Sequence, residues 1–271
     1  MLMGRPGFRQ AVARYCEKMI EPAPPGWPVR KLLNQLGRYY AGYMLIRQYY
    51  AWAGGSGATP TLSLLQAHSG LSPRQTTTFV ATLKAGQLLE VETVAGDRRA
   101  RVLKPLPRLV REIGRSCLAF VAAYDEVIDG GPALAPPVDA RPDILGRMIH
   151  LSADRVLETG TVIAPFPTVR AMAGYDCGYP LLVAVMASYY RRRAGLVGPA
   201  LAYSALAERF QISQSHVGNV FAYLRQAGAL ERAGSEETVT AVLVAEFEAW
   251  CAAEMAHYAR LVAPLVASAR A

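Results

Sequence analysis

A set of residues recurs in the same order about 140 positions downstream, and that recurrence constrains the fold of this 271-residue chain more than any other feature. Val29-Arg30 returns as Val169-Arg170 and Tyr49-Tyr50 as Tyr189-Tyr190, both at a spacing of 140. Leu71-Ser72 matches Ile212-Ser213 at 141, and Phe79 and Ala85-Gly86 match Phe221 and Ala227-Gly228 at 142. Leu109-Val110, Glu112, Cys117 and Tyr124 then match Leu243-Val244, Glu246, Cys251 and Tyr258 at 134. One drop of eight residues between Gly228 and Leu243 reads as a shortened loop in the second copy. A repeat of this length means two similar modules, each large enough to hold a core. The expected division is a first module over 1–129, a linker over 130–140 and a second module over 141–271.

The chain is 52% hydrophobic and 18% charged, the balance of a compact protein. No apolar run of about 18 residues is free of charge, Pro or Gly, so no membrane span is expected. The start, MLMGRPGFRQ, lacks the apolar stretch of a signal peptide. The four cysteines have no CxxC or Cys/His spacing of a zinc site. A cytoplasmic protein with reduced thiols, no metal and no cofactor is the expectation. Net charge is +8, and its distribution is lopsided. Residues 1–135 hold 17 Lys/Arg and 9 Asp/Glu, whereas residues 136–271 hold 12 of each. An excess confined to one half points to a polyanion as partner.

Apolar spacing predicts helices over Phe8–Ile20, Arg30–Ala53, Thr61–His68 and Ser72–Ala85, then strand-like runs Leu88–Val94 and Arg101–Leu103 around a polar hairpin at 95–99. A closing helix is expected from Pro105 to about Ile128. The run Gly130-Gly-Pro-Ala-Leu-Ala-Pro-Pro137 reads as the linker. The order then repeats: helices Arg141–Leu157, Pro180–Arg193, Tyr203–Phe210 and Ser213–Ala227, a short hairpin around 234–237, and a last helix over Val244–Val266.

Helix, tight turn, helix, glycine and hairpin is the order of a winged helix-turn-helix. In the second copy Leu206 and Ala207 hold the first helix, Ile212 fills the turn and Ser213 is placed to cap the next helix. Val217, Val220 and Leu224 form its inward stripe. Gln214, Ser215, His216, Gly218 and Asn219 are left outside, short or polar, where a groove could be reached. In the first copy Pro73 occupies a favourable first helical position, and Arg74, Gln75, Thr76 and Thr78 are expected to project outward. Arg and Gln can read base edges bidentately, and Thr can touch a thymine methyl.

The two hairpins differ. The first carries Asp97, Arg98, Arg99 and Arg101 with Lys104 close behind, a composition suited to phosphate or the minor groove. The second is shorter and carries Glu236 and Glu237, which would repel phosphate. The first copy is therefore the better DNA binder. The second is left three roles: to bind with its helix and Arg191, Arg192 and Arg193, to dimerise, or to sense a ligand. As a purely structural feature, those three arginines are a basic helix end against its own dipole.

Each half resembles a MarR-type winged-helix transcriptional regulator. The likeness runs from the long helix before the motif, through Leu71-Ser72 or Ile212-Ser213 and the glycine turn, to Gly96-Asp-Arg-Arg-Ala-Arg101 and a long closing helix. The Arg-rich wing is present only in the first copy. The resemblance implies a family dimer fused into one polypeptide, with DNA contacts at Arg74–Thr78 and Arg98–Arg101. It also implies a small aromatic effector near the interface of the copies. Tyr39, Tyr43, Tyr189 and Tyr190 are the candidates to line that effector pocket, although such aromatics also serve as ordinary core.

The resulting expectation is a mainly α protein with small β-hairpin wings, its tandem winged helix-turn-helix modules related by a pseudo-two-fold. It is expected to be a non-enzymatic, sequence-specific regulator of double-stranded DNA, a single-chain pseudo-dimer or a further homodimer. Nothing resembles a nucleophile–base pair or a phosphate-cradling Gly-Lys-Ser/Thr loop. Cys117 and Cys251 occupy equivalent sites, but apolar neighbours argue against a redox switch. Two other classes share the pattern: a plasmid or phage replication initiator with tandem winged helices, and a winged-helix protein-interaction module without DNA binding.

Overall fold

Ser72 and Ser213, 141 residues apart, each accept a hydrogen bond from the backbone N–H three residues ahead and each open a helix of 13 residues. A computed structural model describes residues 2–22, 28–94, 97–128, 130–234 and 236–270, apart from the side chains at 94, 97–100, 233, 236 and 270. The molecule is mainly helical with two small antiparallel hairpins. The helices of the first repeat are α1 (Phe8–Met19), α2 (Val29–Leu33), α3 (Leu36–Ala53), α4 (Leu62–His68), α5 (Pro73–Ala85) and α6 (Pro107–Val127), with strands β1 (Leu89–Val94) and β2 (Asp97–Pro105) between the last two. A short α7 (Ala135–Ala140) precedes α8 (Pro142–Thr159), α9 (Pro167–Gly174), α10 (Gly178–Arg193), α11 (Tyr203–Phe210), α12 (Gln214–Gln226), β3 (Leu230–Ala233), β4 (Glu236–Val239) and α13 (Ala241–Arg270).

The segment from α4 to β1 and that from α11 to β3 run in one register, 141 residues apart, and the 142-residue spacing expected for Phe79 and Gly86 does not hold. The buried stripe of α5 is Thr76, Phe79, Val80 and Leu83, and that of α12 is Val217, Val220, Phe221 and Leu224. Phe79 therefore stands where Val220 stands, and Val80 where Phe221 does. The turns obey the same register. Gly70 and Gln211 both have left-handed backbones (φ 71 and 55), as do Gln87 and Gly228 (φ 52 and 69). Beyond each second helix, Leu88 N–H donates to Leu83 O and Ala229 N–H to Leu224 O. The hairpins close alike too, Leu106 N–H on Leu88 O and Thr240 N–H on Ala229 O.

Several expected boundaries move. The helix expected over Arg30–Ala53 is broken at Asn34-Gln35, where Gln35 is extended (φ −108, ψ 134) and Asn34 competes for backbone hydrogen bonds as Asn does. Pro105 ends β2 opposite Leu89 instead of starting a helix, and Pro107 takes the first helical position. Part of the expected linker is helical, because Pro136 and Pro137 lie in the first turn of α7, where a missing N–H costs nothing. α9 has no counterpart among the expected helices; it lies in the stretch between those expected over Arg141–Leu157 and Pro180–Arg193.

The chain divides into two compact units that interleave the repeats rather than following the expected 1–129 and 141–271. The first unit is Gly26–Leu118, Ala133–Gly160 and Tyr258–Ala271, and the second is Met1–Pro25, Ala119–Pro132 and Thr161–His257. The first thus holds α4, α5 and their hairpin together with α8, which packs on α3. At Gly146 that packing is close: an added Cβ would lie 2.0 Å from the Tyr50 ring. The second unit holds α11, α12 and their hairpin together with α1, which packs on α10. In its core Tyr15 stacks on Phe120 (4.1 Å between centroids), and Trp250 meets Tyr15, Phe120, Tyr179 and Phe247 edgewise. Both closing helices are shared, α6 passing from first to second unit after Leu118 and α13 from second to first after His257.

No helix among the described residues is long and apolar enough to cross a membrane.

Candidate nucleic-acid interface

The α5 helix of the first unit buries one stripe and leaves Arg74, Thr77, Thr78, Ala81 and Lys84 exposed. Their 3.6-residue spacing puts them on a single outward face. Arg74 makes no ion pair among the described residues and is the one expected contact on α5 whose side chain is uncommitted. Gln75 is exposed but engaged: its Oε1 accepts from Ser72 N–H (3.0 Å) while Ser72 Oγ accepts from Gln75 N–H (3.3 Å), a reciprocal capping box. Thr78 is exposed, and its Oγ1 donates to Arg74 O (3.0 Å).

Thr76 corrects the expectation of an outward row. It is fully buried, with its hydroxyl 2.8 Å from Ser69 Oγ and 3.1 Å from Ser72 O. Threonine satisfies its one polar atom locally and buries its methyl, so it can occupy the place that Val217 fills in the other copy. Thr77, three residues from Arg74, takes the outward place and accepts from Gln66 Nε2 (3.1 Å). Periodicity counted from Arg74 would have identified both residues.

The first hairpin is anchored to the motif, since Leu103 N–H donates to Pro60 O just ahead of α4 (2.8 Å). Arg101 faces Thr93 across the ladder and is exposed. Arg98 and Arg99 fall within β2 rather than in the turn, and their side chains lie outside the described residues. Lys104 is engaged with Glu92 (2.7 Å) and Glu90 (3.7 Å). Arg38 and Arg111 are further exposed cations of this unit that charge counting alone did not single out.

In the second unit, Gln214, Ser215 and Asn219 are exposed as expected. His216 is not available: its Nε2–H donates to Asp176 O (2.6 Å), which fixes that tautomer. Arg191 is held by Glu17 (2.7 Å) and Val197 O (2.7 Å). Arg192 is exposed, and Arg193 leans over the Tyr189 ring, 5.8 Å from its centroid. Glu237, expected to face phosphate, is tucked against Arg225 at 2.5 Å; the Glu236 side chain lies outside the described residues.

The four effector-pocket tyrosines fall in different units. In the first, Tyr39 and Tyr43 stack (6.0 Å between centroids) and Tyr39 O–H donates to Ile113 O (2.9 Å). Burial pushes the Tyr39 hydroxyl well above its ordinary pKa. In the second, Tyr190 O–H donates to Glu248 (3.3 Å) with Tyr189 edgewise to it. All four cysteines are buried and none is in a disulfide, and burial raises the Cys251 thiol well above its usual range.

Counted by unit, the charge asymmetry is sharper than by sequence halves. The first unit holds 18 Lys/Arg against 8 Asp/Glu, a net of +10. The second holds 11 against 13, a net of −2. No family model, curated protein or solved structure matches the chain.

Proposed function

We propose that this chain is a sequence-specific, double-stranded DNA-binding transcriptional regulator of the winged helix-turn-helix kind, as its resemblance to MarR-type regulators implies. One observation carries the reading. The unit with a net charge of +10 also contains a helix–turn–helix–hairpin whose second helix presents Arg74, Thr77, Thr78 and Lys84 on its outward face. Cations draw in the phosphate backbone without regard to sequence, and a helix face of Arg and Thr can distinguish base edges. Arg101 on β2 stands beside the same motif as a phosphate contact.

The test is fluorescence anisotropy on the full chain with a duplex from its own promoter and a random duplex, across a salt series. Binding should be tighter to the promoter duplex. Log affinity should fall linearly with log salt, by about 0.9 per phosphate neutralised. Arg101→Ala should reduce that slope by about 1 and weaken both duplexes alike, whereas Arg74→Ala should narrow the gap between them. No binding to either duplex at low salt overturns the reading.

A further inference from the structure

The second unit's counterpart of the α5 face has lost its charge. At the 141-residue spacing Arg74, Thr77, Thr78, Ala81 and Lys84 correspond to Ser215, Gly218, Asn219, Ala222 and Arg225. Ser215, Asn219 and Ala222 are exposed and uncharged. Arg225, the one cation of the set, is turned onto Glu237 (2.5 Å) and the Tyr203 hydroxyl (3.3 Å).

A loop also covers one flank of α12. Between α9 and α10 three residues, 175–177, replace the two that join α2 to α3. His216 donates into this loop at Asp176 O, and the Tyr175 ring lies 5.3 Å from that of Tyr223, seven residues along the same helix. Cys177 fastens the loop to α11 by donating to Phe210 O (3.8 Å).

Ion pairs occur in both units, in the first between Arg30 and Glu112, Arg47 and Asp154, Lys104 and Glu92, and Arg141 and Asp143. Arg5, Arg170 and Arg232 of the second are exposed with no ion pair among the described residues. The cations beside the two motifs nevertheless differ. In the second unit Arg9 pairs with Glu248, Arg14 with Glu126, Lys18 with Glu21, Arg191 with Glu17 and Arg225 with Glu237. In the first unit Arg38, Arg74, Lys84, Arg101 and Arg111 are exposed and form no ion pair among the described residues. A cation already held by a carboxylate offers a phosphate little, and a unit of net −2 repels the backbone that a unit of +10 attracts.

Resting on the DNA-binding reading above, we propose that each chain reads duplex DNA through the first unit alone, so that one chain recognises a single half-site rather than both halves of a palindrome. The α11–α12 motif keeps the helix–turn–helix–hairpin architecture but presents an uncharged outward face.

The experiment selects bound sequences from a random duplex pool with the full chain, then measures stoichiometry and the effect of variants on the selected duplex. One half-site per chain is expected, either as a motif without dyad symmetry or as a dyad occupied by two chains. Arg74→Ala should weaken binding about tenfold or more. The double variant Gln214→Ala/Asn219→Ala should change the Kd less than about twofold, because none of its contacts is made. A dyad-symmetric motif filled by one chain, or a loss of about tenfold in the double variant, overturns the proposal while leaving DNA binding intact. Failure of the unaltered chain to retain any duplex overturns both readings.

Discussion

Ser69 Oγ and Thr76 Oγ1 meet at 2.8 Å inside the α4–α5 turn, at the places that Phe210 and Val217 occupy in the α11–α12 turn. Both residues are fully buried. The hydrogen bonds form a relay: Leu71 N–H donates to Ser69 Oγ, Ser69 O–H to Thr76 Oγ1, and Thr76 O–H to Ser72 O. Thr76→Val copies the other repeat but strands the Ser69 hydroxyl. It should destabilise the protein by about 1–3 kcal/mol, and adding Ser69→Ala should restore part of the loss. Urea denaturation midpoints of the two variants check this. Because Thr76 faces inward, affinity for any duplex should stay unchanged in the folded Thr76→Val protein.

The left-handed turn positions carry Gly70 and Gln87 in one repeat and Gln211 and Gly228 in the other. At each equivalent site, then, one copy has the residue that adopts positive φ without steric cost and the other has one that does not. Gln87→Gly and Gln211→Gly should each stabilise by about 0.5–1 kcal/mol, net of the extra freedom glycine gives the unfolded chain. A Gln→Gly change that lowers the thermal midpoint would show the strain to be relieved elsewhere.

Burial pushes the Glu254 carboxyl up to about 7 from its ordinary 4.5, against the opposing pull of the Trp250 indole N–H that donates to it at 3.1 Å. Between those two values the folded chain keeps a proton that the unfolded chain releases. Its contribution therefore turns against the fold as pH rises through that window, the reverse of a carboxylate in an ion pair. Glu254→Gln mimics the protonated form and should match the parent near pH 5 but exceed it near pH 8 in thermal midpoint. A difference that stays flat across that range would refute a proton held on Glu254.

Much of the motif was legible because its determinants are local. Ser72 and Ser213 cap where a capping residue is needed, and the apolar stripe of α12 is a helical period. What failed had non-local or degenerate causes. Matching by identity aligned Phe79 with Phe221 and so gained one residue, because a large and a β-branched side chain exchange neighbouring places in the two stripes. Thr76 was misplaced because threonine is at home on either side of a helix when a carbonyl four residues back accepts its hydroxyl. The fates of Arg191, His216 and Glu237 depended on Glu17, Asp176 and Arg225, partners brought close only by folding. Nor does periodicity say against which of two similar surfaces α1 or α8 is buried, so the interleaving of the units was out of reach.

That interleaving bears on how the protein is made. Synthesis runs from the N-terminus, and domains generally fold as units while the chain emerges. The α4–α5 motif is translated early, yet its unit also draws on 133–160 and on 258–271. The segment carrying Arg74 therefore leaves the ribosome before two of the stretches that complete its unit have been made, so its supporting core closes only after the last of them emerges.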